Sequence, residues 1–178
     1  CRRTRAAQVP NQFATTGAFR AVTELGCGVK SCNEYDGDSM FLSRISIGNF
    51  RNFHELDVAL GGNVVIVGEN RVGKSNLLFG LRLIFDPSLP DSSRELGLAD
   101  FWDGLESIDE DTKITISVEI KDFEDDLDVL AVLTDYRLDD DPDTVRLTYQ
   151  LRAQPGLEHD PASDDDFSFV CFGGEDEA

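Results

Sequence analysis

Basic residues are scarce in this chain. Its 178 residues hold 16 lysines and arginines against 35 aspartates and glutamates, a formal net charge of −19. So acidic a surface repels polyanions, which argues against this stretch alone gripping a nucleic-acid backbone. Long apolar runs are missing too. None reaches the roughly 18 residues that a spanning helix requires, so the chain reads as soluble and cytoplasmic, with no membrane partner. The four cysteines, Cys1, Cys27, Cys32 and Cys171, show no CxxC spacing, and neither histidine lies near them in sequence, which argues against zinc. Cys27 and Cys32 are close enough for a disulfide, although free thiols are the favoured state. His54 and His159 are isolated from any nucleophile or metal partner and read as surface or turn residues. With 40% hydrophobic residues, the chain can still build one ordinary core.

Met40, the single methionine, divides the chain. The first twenty residues carry no acid, "GCGVKSCNEYDGDS" is small and polar, and neither stretch holds a sustained apolar period. No apolar segment suits a secretory signal. Residues 1–39 are expected to form a disordered extension, with Met40 the natural start.

Beyond Met40 the pattern is that of alternating strands and helices. Two strands are expected around "FLSRISIGNF" and "RNFHELDVAL", the second with Leu56, Val58 and Leu60 on one face. After Gly61-Gly62, Asn63 to Val67 is short and mostly apolar, the pattern of a strand buried on both faces of a parallel or mixed sheet. Leu77, Leu78, Leu81, Ile84 and Phe85 then recur at helical spacing over Ser75 to Phe85, and Asp86-Pro87 ends the helix. A short helix is expected near Arg94 to Trp102, with Trp102 a packing residue. Ile114, Ile116, Val118 and Ile120 alternate with polar residues in the cleanest half-exposed strand of the chain. A short helix over "EDDLDVLAVLTDYRL", a strand over "TVRLTYQLRA" and a last strand at "FSFVCF" complete the order.

One spacing names a chemistry. Gly68-x4-Gly73-Lys74-Ser75 fits the P-loop pattern, with a strand before it and a helix after it. Glycines let successive amides turn inward around phosphate oxygens, and the helix aims its N-terminus at the same anion. Lys74 would reach the β- and γ-phosphates of ATP, and the Ser75 hydroxyl would complete the Mg²⁺ shell. A shuffled chain of this composition would match the pattern about 0.003 times, so an accidental turn is a poor explanation.

The hairpin "NFRNF" and the loop "GENRVGKSN" directly after the third strand carry a further likeness. From Met40 to about the C-terminus, the chain resembles the N-terminal head of the RecF and structural-maintenance-of-chromosomes ATPases. Within these it is most similar to the OLD (overcoming lysogenization defect) family of ATP-dependent endonucleases. "ELGLADFWDG" and "FSFVCFGGED" add weaker likeness. The resemblance implies an α/β P-loop NTPase of ABC/RecF type: a mixed sheet led by an antiparallel hairpin, truncated here to part of the domain. It implies ATP and Mg²⁺ as ligands, held by Gly68, Glu69, Asn70, Arg71, Val72, Gly73, Lys74, Ser75 and Asn76, with Ser75 on the metal. Arg51 matches the arginine of the family's "NFR" element and is a candidate phosphate contact. Asn70 matches a loop-shaping asparagine, while Arg71 stands where many relatives have glycine. In longer form such a protein would pair its heads as a homodimer and reach DNA through other regions.

Some family parts have no counterpart in these residues. "VLAVLTD", Val129 to Asp135, is the best imitation of a Walker B strand, but it follows an acid run and lies too near the loop. A helix packing Leu130 and Leu133 inward is the better reading of it, and Asp135 a weak metal candidate. Gln150 could be an Mg²⁺-sensing glutamine or an ordinary strand residue. Neither "LGLAD" nor "GGED" makes a signature motif, and no Toprim nuclease sequence is present. The clusters Asp139 to Asp141 and Asp164 to Asp166 lie beside turn prolines and read as solvated charge. Two alternatives stay open: a nucleotide-gated dimerisation or DNA-clamp module without a nuclease, and an ABC-transporter-type subunit.

Overall fold

The computed structural model describes residues 20–23, 40–61, 64–70, 72–123 and 127–175. Strands β1 (Arg20–Thr23), β2 (Phe41–Phe50), β3 (Phe53–Ala59) and β4 (Val64–Val67) precede helix α1 (Lys74–Phe85) and the single turn α2 (Asp91–Arg94). Strand β5 (Ile114–Lys121), helix α3 (Leu127–Leu133), and strands β6 (Val145–Ala153) and β7 (Phe167–Gly173) follow.

Five strands form one sheet in the order β3-β2-β5-β6-β7, antiparallel at every pairing. The alternation read in the sequence decides its faces. Ile114, Ile116 and Val118 of β5 are fully buried, while Thr115, Ser117 and Glu119 between them are half-buried. On that second face Arg146 answers Glu119 across the β5–β6 register at 2.8 Å, and the Ser117 and Thr148 hydroxyls meet at 3.0 Å.

Helix α1 closes the buried face. Leu77 and Leu83 join Ile45, Ile47, Phe50, Ile116, Tyr149 and Leu151 in the main core, each such side chain worth about 1.5–3 kcal/mol when removed from water. Gly80 lets the helix lie close, because a Cβ there would stand 3.3 Å from Ile116 and 3.7 Å from Phe50. Asp86 ends the helix: its N–H reaches the Arg82 carbonyl and its carboxylate accepts from the Arg82 guanidinium. A smaller cluster of Ile120, Phe123 and Val145 lies under α3, which turns Val129, Leu130 and Leu133 toward it.

Two expectations need correction. The sheet is not mixed, for no parallel pair occurs among the described strands. After α1 the chain does not return beside β4 in a parallel crossover. It enters the five-stranded sheet next to β2, where Ile45 and Ile47 register with Val118 and Ile116. Strand β4 is therefore not buried on both faces: among the described strands it pairs only with β1, and Val65 and Val67 are each 46% exposed. Within residues 1–39 the described segment Arg20–Thr23 is a strand, in register with Val64–Val67. Cys1, Cys27 and Cys32 lie outside the described residues, while Cys171 is an exposed free thiol.

Candidate phosphate-binding loop

Strand β4 ends at Val67, and the chain runs through Gly68, Glu69 and Asn70, all exposed, into α1 at Lys74. Arg71 lies outside the described residues. Gly73 takes φ 103°, a left-handed conformation that costs other residues roughly 1–2 kcal/mol. No side chain caps the helix and no acid stands in its first turn, so its N-terminal amides keep their affinity for an anion. The Lys74 ammonium folds back over the loop, donating to the Gly68 carbonyl at 2.8 Å and the Glu69 carbonyl at 2.6 Å. Two of its three donors are thus used, and its charge stands over the loop backbone. Ser75 is exposed in the first helical turn.

The β2–β3 hairpin supplies the second wall. Phe50 pairs with Phe53 around the two-residue turn Arg51-Asn52, and Arg51 adopts φ 50° there. Glycine would relieve that strain, so what keeps an arginine in place is its contacts. Its N–H reaches the Asp100 carbonyl at 2.7 Å. Its guanidinium donates to Asp100 at 2.8 Å and to Asn76 at 3.0 Å, and lies 4.6 Å from the centre of the Phe79 ring. Arg51 thereby ties the hairpin, the first turn of α1 and the 3₁₀ turn Leu98–Asp100 together. Beside it, Asn52 donates to the Val72 carbonyl at 3.1 Å and accepts from Asn76 at 2.7 Å. No sequence pattern singles out Asn52 or Asp100. Asn52 stands inside "NFRNF", but its contact with Val72 spans 20 residues and no periodicity marks it.

Other candidates have structural occupations. Asp164 accepts from the Leu98 N–H, and Asp166 from the N–H groups of Ala162 and Ser163, which hold its carboxyl below the usual range. Asp141 is likewise lowered, first by the Thr144 hydroxyl and then by Lys121. No group of three metal-ligating side chains occurs among the described residues. Val129 to Leu133 is helix rather than strand, and Asp135 is exposed on the 3₁₀ turn that follows. Gln150 is half-buried on β6 between Thr115 and Val170. Trp102 packs on His54, ring centres 4.3 Å apart, and the His159 ring meets the Asp160 carbonyl. A cleft of about 440 Å³ lined by Glu95, Leu96, Gln154 and Phe167 shares no residue with the phosphate loop. Among the described residues, no helix is long and apolar enough to cross a membrane.

A strand, a glycine loop closed by its own lysine and an uncapped helix have the arrangement of a P-loop. The AAA ATPase domain family matches residues 40–171, and the chain belongs to it. It is also similar to Endonuclease GajA of Bacillus cereus (strain VD045), with 28% identity over 95 residues. That match covers 53% of this chain and 16% of GajA, so the chain answers to a minor part of that protein's length.

Proposed function

We propose that this chain is the ATP- and Mg²⁺-binding N-terminal part of an OLD-like, RecF-related ATP-dependent endonuclease, with an ABC/RecF-type head. The observation that carries the reading is the loop Gly68 to Ser75, closed by Lys74 and strapped to the "NFRNF" hairpin. Lys74 would trade its carbonyl partners for β- and γ-phosphate oxygens, and the backbone from Gly68 to Asn76 would line the phosphates, Glu69, Asn70, Arg71 and Val72 among them. The exposed Ser75 hydroxyl is a hard oxygen donor that suits Mg²⁺, which takes the rest of its shell from phosphates and water. Arg51, hydrogen-bonded to Asn76 just past the loop, is the further phosphate contact. The similarity to a protein named an endonuclease supports coupling to DNA cleavage in a longer polypeptide. There, paired heads would hydrolyse ATP by in-line attack of water on the γ-phosphate.

This chain by itself should bind MgATP and turn it over negligibly, since among the described residues no group of three metal-ligating side chains stands beside Ser75. Steady-state phosphate release measures this: a rate at background agrees, and turnover that vanishes in Lys74→Ala contradicts it. DNA cleavage by the longer protein that survives Lys74→Ala contradicts the coupling.

A further inference from the structure

The polar contacts between hairpin and loop fit only one orientation of each amide. The Val72 carbonyl can only accept, so Asn52 must turn its NH₂ toward it, which leaves Asn52 Oδ1 facing Asn76. Asn76 must therefore present its own NH₂, at 2.7 Å, and its Oδ1 is left for Arg51 Nη1 at 3.0 Å. Arg51 Nε in turn ends on Asp100 Oδ1 at 2.8 Å, and Asp100 Oδ2 is fixed by the Gly97 N–H at 3.1 Å. Flipping either amide would set donor against donor or acceptor against acceptor. Asn52 also lies against the one described loop glycine with positive φ: a Cβ on Gly73 would stand 2.1 Å from Asn52 Nδ2.

We propose that Asn52 is a positioning residue for the phosphate loop, and that Asn76, Arg51 and Asp100 form the relay that holds its amide in the working sense. The inference rests on the nucleotide-binding reading above. In a trans peptide the C=O and the following N–H point in opposite directions. Holding the Val72 carbonyl toward the hairpin therefore turns the Gly73 N–H away from it, into the space for phosphate. Asp100 belongs to the turn 97–100, whose Leu98 N–H is pinned by Asp164. The relay thus links a distant loop to the phosphate site through oriented side chains, and loss of Asp100 should be felt at the nucleotide although it touches none.

The test titrates a fluorescent ATP analogue with Mg²⁺ into the wild type, Lys74→Ala, Asn52→Asp, Asp100→Asn and the double variant of the last two. Asn52→Asp keeps the shape but sets a carboxylate oxygen against the Val72 carbonyl. Affinity at pH 7.5 should fall about tenfold in Asn52→Asp and about threefold in Asp100→Asn. The double variant should be no weaker than Asn52→Asp alone, because one relay is already broken. Below pH 5, as the pH approaches the ordinary carboxyl range near about 3.9, the introduced carboxyl, with Arg51 and Asp100 reached through Asn76, gains the proton it needs to donate to Val72. The gap to wild type at the same pH should then narrow, which a purely structural lesion would not do. Melting temperatures should stay within about 3 °C of wild type; if Asn52→Asp does not fold, Asp100→Asn alone carries the test. Wild-type affinity in both single variants, or additive losses in the double, overturns the relay. Binding no tighter in wild type than in Lys74→Ala overturns the nucleotide-binding reading and the relay together.

Discussion

The five-stranded sheet and the phosphate loop are held together in opposite ways. In the sheet, β5 places Ile114, Ile116 and Val118 wholly out of solvent, and α1 seals them with Leu77 and Leu83. Around the loop, β4 is four residues long with Val65 and Val67 half exposed, and shape comes from a few directional bonds among Lys74, Asn52, Asn76 and Arg51. Burial is strong and tolerant of small displacements, while hydrogen bonds are individually weak and specify orientation. Stability and site geometry should therefore separate under mutation, the first residing in the sheet and the second in the loop.

The largest effect should come from the sheet. Ile116→Ala empties a fully buried position against α1 and should cost about 2–5 kcal/mol, a fall of roughly 6–15 °C in thermal melting followed by circular dichroism. Gly73→Ala should do the reverse, adding a Cβ onto Asn52 at a left-handed position and costing about 1–2 kcal/mol. Its main result should be lost nucleotide binding by titration; a variant that binds normally would erase the contrast. Tyr149→Phe removes the 2.6 Å bond from the phenol to the Arg94 carbonyl and should cost about 1 kcal/mol without changing nucleotide affinity.

The acid response is smaller. Bonding to Arg44 holds the Asp57 carboxyl below its usual range. A depressed carboxyl adds stability above its unfolded value near about 3.9 and gives it up as pH falls through the lower folded value. The pair is partly exposed, so under about 1 kcal/mol is at stake. Melts between pH 5 and pH 2.5 should show a shallower decline in Asp57→Asn than in wild type. Smallest of all, Val65→Thr on the exposed strand should move stability by less than about 0.5 kcal/mol.

What the sequence revealed follows the range of the forces involved. The strict alternation of residues 114–120 and the 3.6-residue apolar period of 75–85 are local, and the structure has a strand at Ile114–Lys121 and a helix at Lys74–Phe85. The loop pattern was legible because its residue types are demanded by backbone geometry over eight positions. Strand pairing is a contest among distant segments: nothing inside "VVIV" tells whether β1 or another strand will bind it. The same holds for Asp100, an acid in a turn until folding brings it to Arg51, 49 residues away. Sequence thus marked the candidate loop and left its supporting wall unseen.

Calorimetric titration of MgATP into this chain and its Lys74→Ala variant tests the central claim most directly. A cradle closed by Lys74 predicts saturable one-to-one binding in the wild type, weakened at least about tenfold in the variant. Equal dissociation constants for the two proteins, or no binding by the wild type, would contradict it.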